Sequence, residues 1–181
     1  EMCIRDRVLA MANYPNFNPN NPGESDPSVL GNAAVSDVYE PGSVEKVITG
    51  AALFDSGLVD PDTKVAVPSK IASGNGAITD SWWHGDIGLT ARGVIAKSSN
   101  IGTVQLARLM DKQQFSDYLH SFGFGSPTGI EVAGEQPQMG IVPDGNMADY
   151  TRDQISFGQG LSVSALQMTT ALASVTNGGV Y

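Results

Sequence analysis

The sequence predicts a mixed α/β chain of the α+β kind, in which helices outweigh strands. Three observations carry that expectation. Apolar residues recur at helical spacing in four separate segments. The stretches between them are rich in Gly, Pro, Asn and Ser, with only short extended pieces. And 181 residues with 41% hydrophobic and 16% charged side chains suit one globular unit with a real core.

Val8–Ala12 (VLAMA) is short and apolar and reads as a strand. The following residues, 13–28, hold turn after turn of Asn, Pro, Gly and Ser. Residues 32–39 read as irregular or extended. In EPGSVEKVITGAALFDSG (40–57), Pro41 and Gly42 break the chain and Ser43 opens a helix. Val44, Val47, Ile48, Ala51 and Phe54 mark its apolar positions and Gly57 its stop. Residues 58–88 read as loops and short extended pieces, with a turn at Ser73–Gly76 (SGNG). Trp82, Trp83 and His84 fall in this irregular region; packing is their expected role, a place in a cleft near Ser98 the alternative. Thr90 caps a helix over 91–97, Ser98, Ser99 and Asn100 interrupt it, and a helix resumes over 101–110. A further helix covers 112–122, ended by Gly123. Residues 123–149 are rich in Gly and Pro. The last helix spans 162–176 and stops at Asn177, Gly178 and Gly179.

Charge and composition remove several function classes. With 10 Lys+Arg against 19 Asp+Glu the chain carries a net charge of −9, which repels a phosphate backbone, so no nucleic-acid partner is expected. No apolar run approaches the ~20 residues of a membrane helix. His84 and His120 are too few and too scattered for a zinc site, and no Walker loop or dinucleotide fingerprint is present, so neither metal nor cofactor is expected. Residues 1–7 carry four charges without strand or helix period and are expected to be foreign to the fold, which leaves 8–181 as the domain. Cys3, the one cysteine, lies in that stretch, so disulfides and thiolate catalysis are not expected.

Two clusters carry chemistry. A serine hydroxyl is a poor nucleophile without a base in reach. Lys46 lies three residues after Ser43, so a helix puts both on one face. A lysine acts as a base when burial disfavours its ammonium form. Ser43 at a helix start also gains from the positive end of the dipole. On spacing alone, a helix cap followed by a surface lysine is the commoner meaning. The second cluster is Ser98-Ser99-Asn100, a polar break between helices. There Ser98 can relay a proton, and the Asn100 amide can both donate to and accept from a substrate peptide bond. An ordinary N-cap for the next helix is the plain alternative.

Taken together the residues carry a family resemblance. Ser-x-x-Lys followed by Ser-x-Asn is the motif order of the penicillin-recognising serine enzymes. VYEPGSVEKVITGAAL (38–53), IAKSSNIGTVQLA (95–107) and FGQGLSVSALQMTTALASVTNGG (157–179) resemble class B penicillin-binding proteins, and VLAMANYPNFNPN (8–20) resembles the opening of the same domain. Glu-Pro-Gly-Ser favours the cell-division branch, and the wording of 75–103 leans towards actinobacterial members. The resemblance implies a β-lactamase/transpeptidase-like fold and a D,D-transpeptidase that cross-links peptidoglycan. Ser43 would be the acylated nucleophile, Lys46 its base, and Ser98 the proton relay. Asn100 would bind the peptide amide, with Gly158 and Gly160 bordering the substrate. Implied partners are stem peptides and the lipid-linked precursor, β-lactams, a membrane glycosyltransferase and other division proteins. The implied setting is a membrane-anchored parent with its catalytic domain outside the cytoplasm.

One departure stands out. The family's Lys-Thr-Gly or Lys-Ser-Gly motif is absent and would lie beyond Tyr181. The chain is therefore expected to be a truncated piece, with most of the central sheet, the membrane helix and the N-terminal domain outside it, and inactive by itself. A serine β-lactamase of similar fold is the first alternative, but it needs a base for deacylation. No Glu-x-x-Leu-Asn follows Asn100, and Glu131 and Glu135 fall in the Gly/Pro-rich stretch. A non-catalytic binding or scaffold member is the second, and the intact Ser43, Lys46, Ser98 and Asn100 argue against it.

Overall fold

A computed structural model of the chain describes residue 8, residues 10–131 and residues 137–179. Leu9, Glu135 and the charged stretch 1–7 with Cys3 lie outside the described residues.

Helix α1 (Ala33–Ser36) is a single turn capped by the Asn32 side chain, which accepts from the Ala34 amide. Strand β1 (Val38–Tyr39) follows, and a 3-10 turn at Gly42–Val44 leads directly into α2 (Glu45–Asp55). Strand β2 (Lys64–Val67) precedes the hairpin of β3 (Ile71–Ser73) and β4 (Gly76–Ile78), whose turn uses Gly74 at φ +55°. Strand β5 (Ile87–Thr90) runs into α3 (Ala91–Lys97), and α4 (Asn100–Ala107) follows. The remaining elements are α5 (Lys112–Ser121), α6 (Asp149–Ile155), β6 (Val163–Ser164) and α7 (Ala165–Thr176). Among the described residues the strands form three antiparallel pairs, β1–β6, β2–β5 and β3–β4.

Helix α2 is the centre of the molecule. It packs against α3, α4, α5 and α7, with Ile48, Ala52 and Leu53 in the core beside Val94, Leu106, Phe115, Leu119 and Met168. Burying side chains of that size contributes about 1.5–3 kcal/mol each relative to exposure. The buried stripe is not the one the apolar pattern predicts. Val44 and Phe54 are exposed, while Glu45, Lys46 and Thr49 are buried. Three polar residues on the inner face of a helix are a costly arrangement unless the site uses them.

Local chemistry explains where elements start. Thr90 caps α3 and Asp111 caps α5, each side chain accepting amides of the first turn. Helix α7 begins at Ala165 rather than Ser162, because Ser164 and Gln167 form a capping box while Val163 and Ser164 pair with β1. The strand expected over 8–12 is not formed by Val8 or by Ala10–Ala12. A short apolar run becomes a strand only where a neighbour completes its hydrogen bonds, and the described residues offer it none. Helices α1 and α6 were not foreseen. Both are short, and tertiary contacts sustain them: α1 meets α7, and α6 meets α4 and β3. On α6, Asp153 is buried, accepts from Arg108 Nε (3.0 Å) and Ser73 Oγ (2.7 Å), and so ties the β3–β4 hairpin to α4.

Candidate active site

The Gly42–Val44 turn presents Ser43 on the surface at the mouth of α2. Among the described residues the Ser43 hydroxyl makes no hydrogen bond. Gly42 takes φ +59°, the left-handed region that favours glycine, and its amide donates to the Gly158 carbonyl (2.9 Å). Gly158 lies at φ +87° so close to Gly42 that any Cβ there would collide with the Gly42 backbone. The Gly160 amide donates to Glu40 Oε1 (2.8 Å). Gly158 and Gly160 thus clasp the segment leading to Ser43.

One turn further, Lys46 is 2% exposed. Its Nζ donates to the Ser98 carbonyl (2.6 Å) and to Ser98 Oγ (3.0 Å). Burial pushes the Lys46 ammonium down to about 8, and the nearby Asp80 carboxylate opposes that shift. The fold thus brings Lys46 to Ser98 across 52 residues of sequence, whereas among the described residues no hydrogen bond joins Lys46 to Ser43, the pair that the three-residue spacing places on one helix face.

Ser98 ends α3 in a left-handed conformation, φ 52° and ψ 43°, the one positive φ outside glycine among the described residues. Such strain at a non-glycine residue costs of order 1–3 kcal/mol and is held in place by its surroundings. Ser99 supplies the next cap: its Oγ accepts the Gly102 amide (2.9 Å). Asn100 begins α4, and its Nδ2 donates to the Thr79 carbonyl (2.9 Å) rather than pointing freely outward.

The loop before β5 embraces this turn, and sequence reasoning gave it no role. Asp80 has a fully buried side chain. It accepts from Ser99 Oγ (2.6 Å), the Ile101 amide (3.0 Å) and His84 Nε2 (3.1 Å). The other ring nitrogen of His84 faces the Gly85 carbonyl (2.6 Å). Trp82 donates from Nε1 to the Lys97 carbonyl (3.1 Å), and its ring lies 4.3 Å from that of His84. Trp82 and His84 thus brace the residue before Ser98, whereas Trp83 is 94% exposed. Nothing in the sequence marks Asp80, because its partners on the Ser98 turn lie 19–21 residues away. Glu45 was likewise missed: it is fully buried beside Lys46, neither oxygen has a hydrogen-bond partner, and burial raises its carboxyl well above the ordinary value.

A buried lysine of lowered basicity, bonded to a strained serine and one turn from an exposed serine, is an arrangement suited to acyl transfer. Comparisons with known proteins agree with that class. Residues 5–181 match the penicillin binding protein transpeptidase domain. Penicillin-binding protein PbpB of Mycobacterium tuberculosis is 39% identical over 174 residues, 96% of this chain and 26% of that protein. Peptidoglycan D,D-transpeptidase FtsI of Escherichia coli is 34% identical over 177 residues, 96% of this chain and 29% of that protein. The chain thus spans roughly a quarter of the length of these relatives. Penicillin binding protein 3 from M. tuberculosis, solved in complex with aztreonam, superposes with a TM-score of 0.78 at 36% identity, over 89% of this chain and 35% of that one. A putative peptidoglycan glycosyltransferase from Atopobium parvulum superposes with a TM-score of 0.80 at 30% identity, over 89% and 37%. The fold is that of these domains, and the chain belongs to the penicillin-binding protein transpeptidase domain family.

Proposed function

We propose that residues 8–181 are the nucleophile-bearing part of a peptidoglycan D,D-transpeptidase of the cell-division class, with Ser43 as nucleophile and Lys46 as base. The observation that carries this reading is the Lys46–Ser98 contact at the start of α2. A neutral lysine amine has two N–H donors and one lone pair. Ser98 O and Oγ take the two donors, which leaves the lone pair for the Ser43 proton. A pKa of about 8 makes that free base accessible near neutral pH.

In the proposed reaction Ser43 Oγ attacks the carbonyl between the two terminal D-alanines of a stem peptide, and Lys46 takes its proton. The Ser43 amide at the helix entrance helps hold the oxyanion. The C–N bond then breaks, and the departing D-alanine amine receives the proton from Lys46 through Ser98. An acyl ester remains on Ser43. The amine of a second stem peptide attacks that ester, passes its proton back along the same route and releases Ser43 with the new peptide bond formed. Asn100 would hold the substrate amide through its side-chain oxygen and the second N–H of Nδ2, the first being donated to the Thr79 carbonyl. Gly158 and Gly160 would border the substrate while keeping the Ser43 turn in register. A β-lactam would open on Ser43 by the same attack; the ampicillin complex of the M. tuberculosis relative supports that ligand class.

The parent protein would work outside the cytoplasm on a membrane anchor. Its substrates would be stem peptides on lipid-linked precursor, with a membrane glycosyltransferase and division proteins beside it. Among the described residues no helix is long and apolar enough to cross a membrane. The test is release of D-alanine and formation of a cross-linked dimer when the full-length protein meets a pentapeptide-bearing glycan. Both should vanish in Ser43→Ala. Cross-linking by that variant would refute the assignment, and rapid penicillin hydrolysis by the unmodified protein would identify a hydrolase instead.

A further inference from the structure

We propose that Asp80 is a positioning residue of this site: its buried carboxylate fixes the turn through which Ser98 and Asn100 meet the pocket of Lys46. The inference rests on the transpeptidase reading and concerns a residue whose hydrogen bonds go to the neighbours of Ser98, not to Ser98 itself.

The argument starts from the strain at Ser98. A serine at φ 52° does not stay there unaided. The residues immediately after it are the ones held. One Asp80 oxygen accepts the Ile101 amide and the other accepts Ser99 Oγ and His84 Nε2. Just before Asp80, the Thr79 carbonyl accepts Asn100 Nδ2. Just after it, Trp82 Nε1 reaches the Lys97 carbonyl. Residues 79–84 therefore grip both sides of Ser98, at Lys97 and at Ser99–Ile101, and leave Ser98 O and Oγ turned to Lys46. A carboxylate in this position also satisfies an orphan amide at the start of α4, where negative charge is favoured.

Asp80 carries a second consequence for the same site. It is the negative charge facing Lys46 that opposes the effect of burial. The other charged or titratable groups nearby are few. His84 turns both ring nitrogens to acceptors, Asp80 and the Gly85 carbonyl. Lys97, at the end of α3, lies 5.9 Å over the Trp82 ring. On α2, Glu45 is buried, and burial raises its carboxyl well above the ordinary value. Removing the Asp80 charge lowers the basicity of Lys46 further. The pH at which acylation reaches half its plateau then moves down, even though the plateau itself falls.

The experiment measures the second-order rate of acylation by a fluorescent penicillin across pH in the full-length protein, for the unmodified form, Asp80→Asn and Ser99→Ala. Asp80→Asn keeps size and one acceptor oxygen but loses charge. Its plateau rate should fall ~10- to 100-fold, the loss typical of a hydrogen-bonded buried charge, with the half-rate pH displaced downward. Ser99→Ala removes one bond to Asp80 together with the cap on the Gly102 amide, and leaves the Asp80 charge. It should slow acylation ~3- to 10-fold with the half-rate pH unmoved. Unchanged rate and unchanged half-rate pH in a folded Asp80→Asn overturn the proposal. So does a Ser99→Ala protein that acylates at the unmodified rate, which decides the matter should Asp80→Asn fail to fold. Absence of Ser43 acylation in the unmodified protein would overturn the transpeptidase reading instead.

Discussion

The turn that carries Ser98 and Asn100 and the turn that carries Ser43 are held in opposite ways. The first is gripped by side chains. Asp80, Ser99, Asn100 and Trp82 together make five hydrogen bonds around it, and Ser98 is left in a backbone conformation that only such a grip sustains. The second is gripped mainly by backbone, with one side-chain bond from the Gly160 amide to Glu40. Gly42 and Gly158 lie against one another without side chains between them, and the Ser43 hydroxyl is exposed. The difference suits the roles proposed for Ser98 and Ser43. A proton relay must keep one geometry through the reaction, whereas a nucleophile must be approached by two successive substrates. Between them sits Lys46, buried like Ser99 of the first region and on the helix of the second.

The comparison breaks most sharply at Lys46. Lys46→Ala should slow penicillin acylation of the full-length protein by ~10²- to 10⁴-fold, the usual worth of a general base. Lys46→Arg should do no better, because a guanidinium keeps its proton. Stopped-flow or gel-based labelling rates measure both. For the unmodified protein the rate should climb with pH and level off above about 8, as the Lys46 amine becomes free.

Substitution at the backbone grip comes next. Gly158→Ala puts a Cβ into the Gly42 backbone at a φ of +87°. It should lower stability by about 1–3 kcal/mol and slow acylation, because the displaced turn is the one bearing Ser43. Chemical denaturation together with the labelling rate checks this. A protein with normal labelling would mean that the Ser43 turn tolerates movement.

Glu45 sharpens the contrast in another way. Its burial raises the folded-state carboxyl well above 4.5, so above that pH the folded chain keeps a proton that the unfolded chain releases. Stability from this group is full below pH 4.5 and declines as pH rises towards the folded value. Glu45→Gln, neutral at every pH, should flatten that decline in thermal melts of the full-length protein taken on the alkaline side. The smallest effect belongs to Trp83, which is 94% exposed. Trp83→Ala should change stability by no more than ~0.5 kcal/mol, while Trp82→Ala, which loses the bond to Lys97, should also slow acylation.

How much of this was legible in the sequence depends on the range of the contacts. The Thr90 cap, the glycine stops and the helical segments are local chemistry, and their residues announce them. The motif order from Ser43 to Asn100 likewise pointed at the site. Asp80 was silent because its partners are reached only through the fold. The inner face of α2 was misjudged for a related reason. An apolar pattern picks Val44 and Phe54, but the site requires Lys46 inside, and Glu45 and Thr49 are buried with it. Val8 and Ala10–Ala12 form no strand because pairing is a property of a neighbour, not of the run itself.

The most direct test of the central claim is the mass of the adduct and its position. Full-length protein treated with penicillin, digested and mapped by mass spectrometry, should carry a single penicilloyl group on the peptide containing Ser43. The adduct should be absent in Ser43→Ala and formed far more slowly in Lys46→Ala. An adduct on Ser98 or elsewhere, or labelling that persists in Ser43→Ala, would contradict the account.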